Sequence, residues 1–229
     1  MEQGSALAPT ENGAQDPRAF VAGQIEVIHA FCDQLDRKLP SYSYIPLTTD
    51  EQRVLVMQSR LFNEFRAADV FGGWLPTTPE LEVKYLLSEA CHEEHGHARL
   101  LMERIRGMGA EPFAYGPPPE QIALFHTMHG LETTVERLAA FQLAGEGVAS
   151  HLIKRAIDSD SVPEWIKQPY RRIIEDEDEH GSSPVHLLET YAVTAEAQRL
   201  VRRGVRLGLS LRARYFDALD AMVFEGVRW

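Results

Sequence analysis

A repeated pattern of acids and histidines constrains the fold of this chain more than any other feature. Six residues recur with nearly one spacing: Glu64, Glu94 and His97, then Glu146, Glu177 and His180. The second three lie 82, 83 and 83 residues after the first three. Residues three apart lie on one face of a helix, so each Glu-x-x-His can present both side chains to one point. The repeat predicts two similar helix pairs whose ligand-type side chains converge, which is the layout of a two-metal site.

The spacing alone is a weak signal, because Glu is common and Glu-x-x-His also occurs at Glu26 and Glu89. The face that each motif occupies separates them. The Glu94 face is otherwise apolar and carries Val83, Leu87, Ala90, Leu101 and Ile105, which predicts that it points inward. The other two motifs share their faces with further acids, which is typical of a solvated surface. Buried carboxylates need a metal or a cation, so the alternative to a metal site is pairing with Arg or Lys.

Helical periodicity and the cap and breaker residues predict an all-α fold with no strands. The expected helices cover residues 18–38, 50–73, 79–106, 119–158, 163 onward and 195–224. Thr78 and Thr194 are expected as N-caps, and Pro184 is expected to kink or end the fifth helix. The Pro-rich segment 107–119 is a candidate crossover between two halves.

Composition sets the domain organisation and narrows the class of protein. Residues 1–17 are small and polar without periodicity, which predicts a disordered tail before a single domain over 18–229. A net charge of −11 disfavours a nucleic-acid partner. The one basic cluster is expected to be a solvated helix face; its members are Arg199, Arg202, Arg203, Arg206, Arg212 and Arg214. The two cysteines have no CxxC arrangement, and neither a signal peptide nor a membrane anchor is expected. Both expectations favour a cytoplasmic protein.

One Glu on each of two helices and Glu-x-x-His on two others resembles the ferritin-like di-iron carboxylate superfamily, over roughly residues 50–191. The resemblance implies a ferritin-like four-helix bundle with additional flanking helices. It further implies that Glu64 and His97 are terminal ligands of one iron and that Glu146 and His180 are those of the other. Glu94 and Glu177 then correspond to the carboxylates that bridge both irons.

Three further residues match positions near such centres. Glu93 and Asp176 resemble acids that orient a ligating imidazole through its other nitrogen. Solvated surface acids are an equal alternative for both. Ser150 matches the place where bacterial multicomponent monooxygenases have a Thr near the oxygen pocket, although a small residue tolerated in a helix is the commoner case.

Three classes of function remain, and the resemblance favours the first, an O2-activating oxygenase. Two iron ions, with manganese as an alternative metal, would use O2 to oxidise a small organic substrate. Because the chain has no electron-carrying Cys cluster, a reductase or ferredoxin would supply electrons, and a homodimer or small oligomer is expected. An apolar cavity is expected among Phe62, Phe65, Leu143 and Leu187. The alternatives are a ferroxidase or iron-storage protein and a metal-free helical interaction module.

Overall fold

The computed structural model describes residues 13–180 and 183–229, without the side chains of residues 177–180. All regular structure in these residues is helical, as the sequence predicts, and they contain no strand. The helices are α1 (Pro17–Lys38), α2 (Asp50–Trp74), α3 (Leu81–Gly107), α4 (Pro119–His129), α5 (Thr134–Arg137), a π-helical segment (Leu138–Leu143), α6 (Ala144–Asp158), α7 (Glu164–His180), α8 (Ser183–Tyr191) and α9 (Ala195–Phe224). No helix among them combines the length and apolar character needed to cross a bilayer.

Local sequence signals explain the helix ends that were predicted. Thr49 accepts a hydrogen bond from the backbone N–H of Gln52 and Gln52 reciprocates, which makes a capping box at the start of α2. The hydroxyl of Thr194 accepts from the N–H of Ala197 at 3.1 Å, so the predicted cap of α9 is confirmed. The start of α1 lies one residue from its predicted position.

Thr78 is not the cap of α3, contrary to the prediction. Its hydroxyl and its backbone N–H both donate to the carbonyl of Trp74, at 2.9 and 3.1 Å, so Thr78 instead ends the 3₁₀ turn Leu75–Thr77 that follows α2. Helix α3 begins later, at Leu81, after an extended Glu80 that provides no side-chain cap.

The single helix predicted over residues 119–158 is interrupted. Helix α4 ends before Gly130, and Thr133 starts a new helix by accepting from the backbone N–H of Glu136. The Thr133 hydroxyl also donates to the Glu136 carboxylate at 2.7 Å. Gly130 and the Thr-x-x-Glu motif are the signals of this break. The π-helical segment then follows and leads directly into α6.

The helices pack in two groups around the core: α2 and α3 form the first, and α6, α9 and the helices that contact them form the second. Helices α2 and α3 lie against each other along most of their length. Helix α6 packs against α1 and α7, and α9 covers α4, α5 and the π-helical segment. Phe141 of that segment joins the groups, because its ring lies 4.7 Å from the ring of Phe71 in α2.

Residues 14–16, which the prediction assigned to the tail, have defined contacts with the domain. Ala14 is fully buried, and Gln15 exchanges hydrogen bonds of 3.0 and 2.8 Å with the side chain of Gln198. Asp16 caps α1 by accepting from the N–H of Ala19. The rest of the predicted tail, residues 1–12, lies outside the described residues.

Candidate metal centre

Glu64, Glu94 and His97 form a buried cluster between α2 and α3. The Nδ1 atom of His97 lies 3.5 Å from a carboxylate oxygen of Glu64 and 3.8 Å from one of Glu94. One ligand atom from each of the three residues lies within 4.8 Å of the others. Glu94 is 5% exposed and His97 is 2% exposed, as the apolar stripe of α3 predicts. The structure therefore brings together the first three residues of the repeat.

Glu146 reaches the same place from the first turn of α6. It lines a small cavity of about 30 Å³ together with Glu94 and His97, and Phe71 and Leu86 form apolar parts of the wall. The structure therefore brings a fourth member of the repeat to the site, from α6.

A buried arginine accompanies Glu146. One guanidinium nitrogen of Arg212, in α9, lies 3.8 Å from the Glu146 carboxylate, and Arg212 is only 5% exposed. The sequence prediction that placed Arg212 on a solvated face is therefore wrong for this residue. Arg203 of the same cluster pairs with the buried carboxylate of Glu136. Arg203 itself is exposed, as predicted, whereas the burial of Arg212 depends on a partner far along the chain that helix periodicity does not reveal.

The pKa values of Glu146 and Glu64 are shifted in opposite directions. Burial raises the pKa of Glu146 to about 7, although the positive charge of Arg212 opposes the rise. Burial also acts to raise the pKa of Glu64, but hydrogen bonds with Glu94 and His97 outweigh it and hold that pKa below its ordinary value. At neutral pH Glu64 is therefore ionised, whereas Glu146 is close to half protonated.

Asp176 of α7 lies on the far side of the His97 ring. One of its oxygens is 3.6 Å from His97 Nε2, and the other is 3.0 Å from a guanidinium nitrogen of Arg172. Glu93 lines the small cavity beside Glu94. The side chains of Glu177 and His180 lie outside the described residues. The backbone of α7 extends through both positions, directly after the residue that faces His97.

A polar aromatic network, which the sequence analysis did not anticipate, lies beside Glu64. The guanidinium carbon of Arg60, one turn before Glu64, lies 3.6 Å from the ring centre of Tyr42, and Arg60 donates to the Tyr42 carbonyl at 2.9 Å. The hydroxyls of Tyr44 and Tyr170 are 2.6 Å apart, which ties α7 to the loop before α2. Arg60 contributes positive charge near both Glu64 and Glu146.

A larger cleft of about 420 Å³ lies on the other side of Glu146, between α1, α6 and α8. Glu146 and Gln142 line both the cleft and the small cavity, so the two spaces adjoin at these residues. Ser150 lines the cleft one turn beyond Glu146.

The prediction that Phe62, Phe65, Leu143 and Leu187 line one apolar cavity is wrong. Only Leu143 lines the cleft beside Glu146. Phe62 and Phe65 pack instead against Tyr115 and Phe113 of the crossover, with ring centres 6.2 and 5.8 Å apart. Leu187 lines a separate surface groove between α3 and α8.

Comparisons with known proteins leave this geometry as the main guide to function. No family model matches the chain, and no curated protein matches it significantly.

Proposed function

We propose that this protein is a non-haem di-iron oxygenase built on a ferritin-like four-helix bundle formed by α2, α3, α6 and α7. The observation that carries the proposal is the buried Glu64, Glu94 and His97 cluster, whose ligand atoms lie within 4.8 Å of one another. Glu146 of α6 adds a fourth side chain, a carboxylate that lines the cavity beside the cluster. Glu177 and His180 would complete the set from α7.

The donor set fits a metal ion. Two atoms that each lie about 2.1 Å from one transition-metal ion are separated by about 3–4 Å, depending on the angle between the bonds. The distances of 3.5 and 3.8 Å from His97 Nδ1 to the two carboxylates fall in this range. Carboxylate and imidazole ligands suit iron, and they also accept manganese.

Reduced iron in this site would supply the electrons that activate O2 for oxidation of an organic substrate. The protein residues have simpler tasks. Glu64, Glu94 and Glu146 hold positive charge in a buried place, and Asp176 restrains the His97 ring from its Nε2 side. Phe71 and Leu86 form apolar parts of the wall of the small cavity. The adjoining cleft at Glu146 offers space for a substrate.

The irons would have to be reduced again after each reaction with O2, and the two cysteines of the chain form no cluster that could carry electrons. We therefore expect a reductase or ferredoxin as partner. A homodimer or small homo-oligomer in the cytoplasm is part of the same proposal. An iron-storage protein would instead assemble into a hollow shell.

Arg212 favours a second candidate, a metal-free helical module in which the acids have a structural role. Its guanidinium lies within 3.8 Å of Glu146 and offsets charge that a metal would otherwise neutralise. An ion pair of this kind can persist in a core without a metal when close geometry and further hydrogen bonds offset the cost of removing both charges from water.

Metal analysis of the purified protein separates these candidates. The di-iron proposal predicts about two irons per chain after anaerobic loading with Fe²⁺, a higher melting temperature than the chelated protein, and a change in the optical spectrum when O2 is added. Glu94→Ala should lose both ions and all substrate oxidation. Glu103→Ala, an exposed acid on the same helix, is the matched control.

Two results would contradict the di-iron proposal. If iron does not bind and the melting temperature is unchanged by chelation, the metal-free module is correct. If a hollow shell takes up many irons per chain without any organic product, the storage alternative is correct.

A further inference from the structure

The cleft between α1, α6 and α8 has the dimensions and the lining of a small-molecule site. Its volume of about 420 Å³ lies within the usual range for ligand pockets. Apolar side chains make up much of its walls: Ile25, Ile28, Leu143, Pro184 and Val185. Glu146 lies at the end that adjoins the small cavity, so a molecule in the cleft would lie beside the candidate metal centre.

The acid at this inner end of the cleft already has a partner of opposite charge. The guanidinium of Arg212 lies 3.8 Å from the Glu146 carboxylate, and both side chains are largely buried. A ligand ammonium would have to compete with Arg212 for Glu146, and a ligand carboxylate would lie beside another carboxylate. Because it is costly to remove an ion from water without a partner of opposite charge, the inner end favours an uncharged group.

The charged groups at the outer end, two turns of α6 further on, also have contacts of their own. His151 lies 2.9 Å from the Asp36 carboxylate, and Arg155 lies 3.4 Å from the same oxygen. Lys154, which lines the cleft beside His151, takes part in an interaction of its own. A charged ligand at the outer end would therefore have to displace one of these contacts.

Two residues of α1 in the lining add no buried charge. The side chain of His29 is mostly exposed and lies 3.9 Å from Glu26, so it faces solvent. Burial raises the pKa of the Cys32 thiol to about 11, which keeps this thiol neutral at physiological pH. The lining also contains the hydroxyl of Ser150 and the amide of Gln142. These two groups can meet a hydroxyl or carbonyl of a ligand without any charge.

A glycine leaves room for a ligand against the α6 backbone. Gly147 lines the cleft, and a Cβ atom built on it would meet only the Ile28 side chain, at an ordinary contact distance of 3.7 Å. A larger side chain at this position would therefore extend into the cleft without striking the backbone.

From this arrangement we infer that the cleft binds an uncharged, largely apolar organic molecule, which lies against α6 in the space that Gly147 leaves. The inference rests on the proposed function in one respect, since it makes this molecule the substrate that is presented to the metal centre. The charges of the described lining residues carry the inference, because each of them has a contact of its own or faces solvent.

Calorimetric titration tests the inference on the whole chain, both chelated and loaded with iron. The probes are naphthalenes that share one ring system and carry a hydroxymethyl, a carboxylate or an aminomethyl group. At neutral pH the first probe is uncharged, the second is an anion and the third is a cation. The uncharged probe should bind at least about tenfold more tightly than either charged probe.

Substitutions that fill the cleft show whether the probe binds there. Gly147→Leu should weaken binding of the uncharged probe by at least about tenfold, while the melting temperature stays at or above that of the unsubstituted protein. Ser150→Leu fills the cleft from the next turn of α6 and should weaken binding in the same way. Gly23→Leu, on α1 outside the lining, adds the same side chain where a Cβ atom meets nothing within 4 Å, and it should bind the probe unchanged.

Tighter binding of either charged probe would overturn the inference, as would full binding of the uncharged probe by the Gly147→Leu or Ser150→Leu variant. Because the titration is also made without metal, its outcome is independent of the metal analysis. A chain that binds two irons but none of the probes refutes the ligand and leaves the di-iron proposal intact. A chain that binds the uncharged probe but no iron refutes the di-iron proposal and retains the ligand.

Discussion

The two halves of the candidate centre have the same sequence pattern but are built differently. Glu64, Glu94 and His97 come from α2 and α3, two uninterrupted helices that pack along each other. Glu146 comes from a helix that begins in a π-helical segment and depends on Arg212 of α9 for charge compensation. A matched spacing in sequence therefore does not imply a matched environment, because each half has its own neighbours.

The largest expected effect concerns the contact between α9 and the π-helical segment. A Cβ atom at Gly208 would lie 2.4 Å from the backbone carbonyl oxygen of Ala140, and backbone cannot move aside easily. Gly208→Ala should therefore lower the free energy of unfolding by at least about 3 kcal/mol. Urea unfolding monitored by circular dichroism measures this change.

A matched control for this substitution exists in α1. Gly23 is exposed, and its added Cβ would meet nothing within 4 Å. Gly23→Ala should raise the free energy of unfolding by about 0.5–1 kcal/mol, since alanine is the better helix former. Equal effects of the two substitutions would show that α9 does not hold the second half in place.

The second prediction uses the different pKa values of the two acids. In the metal-free protein, folded Glu146 titrates at about 7, whereas the ordinary value is 4.5. Between these values the folded state binds a proton that the unfolded state does not, so stability falls as pH rises through this window. The loss is at most about 3 kcal/mol.

Glu146→Gln should remove this part of the pH dependence. Urea unfolding of the metal-free protein and of the variant between about pH 5 and pH 7 measures the difference between the two slopes. The pKa of Glu64 is lowered instead, so the stability that its ionisation contributes is lost as the pH falls from the ordinary value of 4.5 through the lowered pKa. If the free energy of unfolding depends on pH equally in the protein and in the Glu146→Gln variant, the pKa of Glu146 is not raised by burial.

The smallest predicted effect concerns the bond that anchors α7. Tyr170→Phe leaves the buried hydroxyl of Tyr44 without its partner at 2.6 Å, which should cost about 1–2 kcal/mol. The double substitution Tyr44→Phe and Tyr170→Phe removes both hydroxyls and should recover part of that loss. If the double variant loses more free energy of unfolding than the two single variants lose together, the hydroxyl pair is not the dominant interaction at this contact.

Helical periodicity correctly predicted the burial of residues that lie on an apolar helix face. The inward positions of Glu94 and His97 follow from the apolar stripe of α3, and the ends of α2 and α9 follow from cap residues. The burial of Arg212 did not follow, because its partner lies 66 residues away in the chain and only packing brings them together. Charge patterns alone suggest a solvated face, since buried cations are rare.

The break between α4 and α5 shows a different limit. Gly130 and the Thr133-x-x-Glu136 motif are visible in the sequence, but the apolar periodicity on both sides favoured one long helix. The π-helical segment has no such local signature. It is defined by packing, with Ala140 against Gly208 and Phe141 against Phe71. Interruptions of this kind frequently mark functional sites in helices.

The position of Gly208 and Arg212 in the last helix has a consequence for the order of events during synthesis. The ribosome completes α2 and α3 long before α9, so the half with Glu64, Glu94 and His97 can close while the rest of the chain is still being made. The half with Glu146 must wait for α9, whose glycine packs on the π-helical segment and whose arginine faces the acid. A newly made chain therefore brings Glu64, Glu94 and His97 together first, and under the proposed function a metal ion that arrives early would meet these three residues before the other proposed ligands.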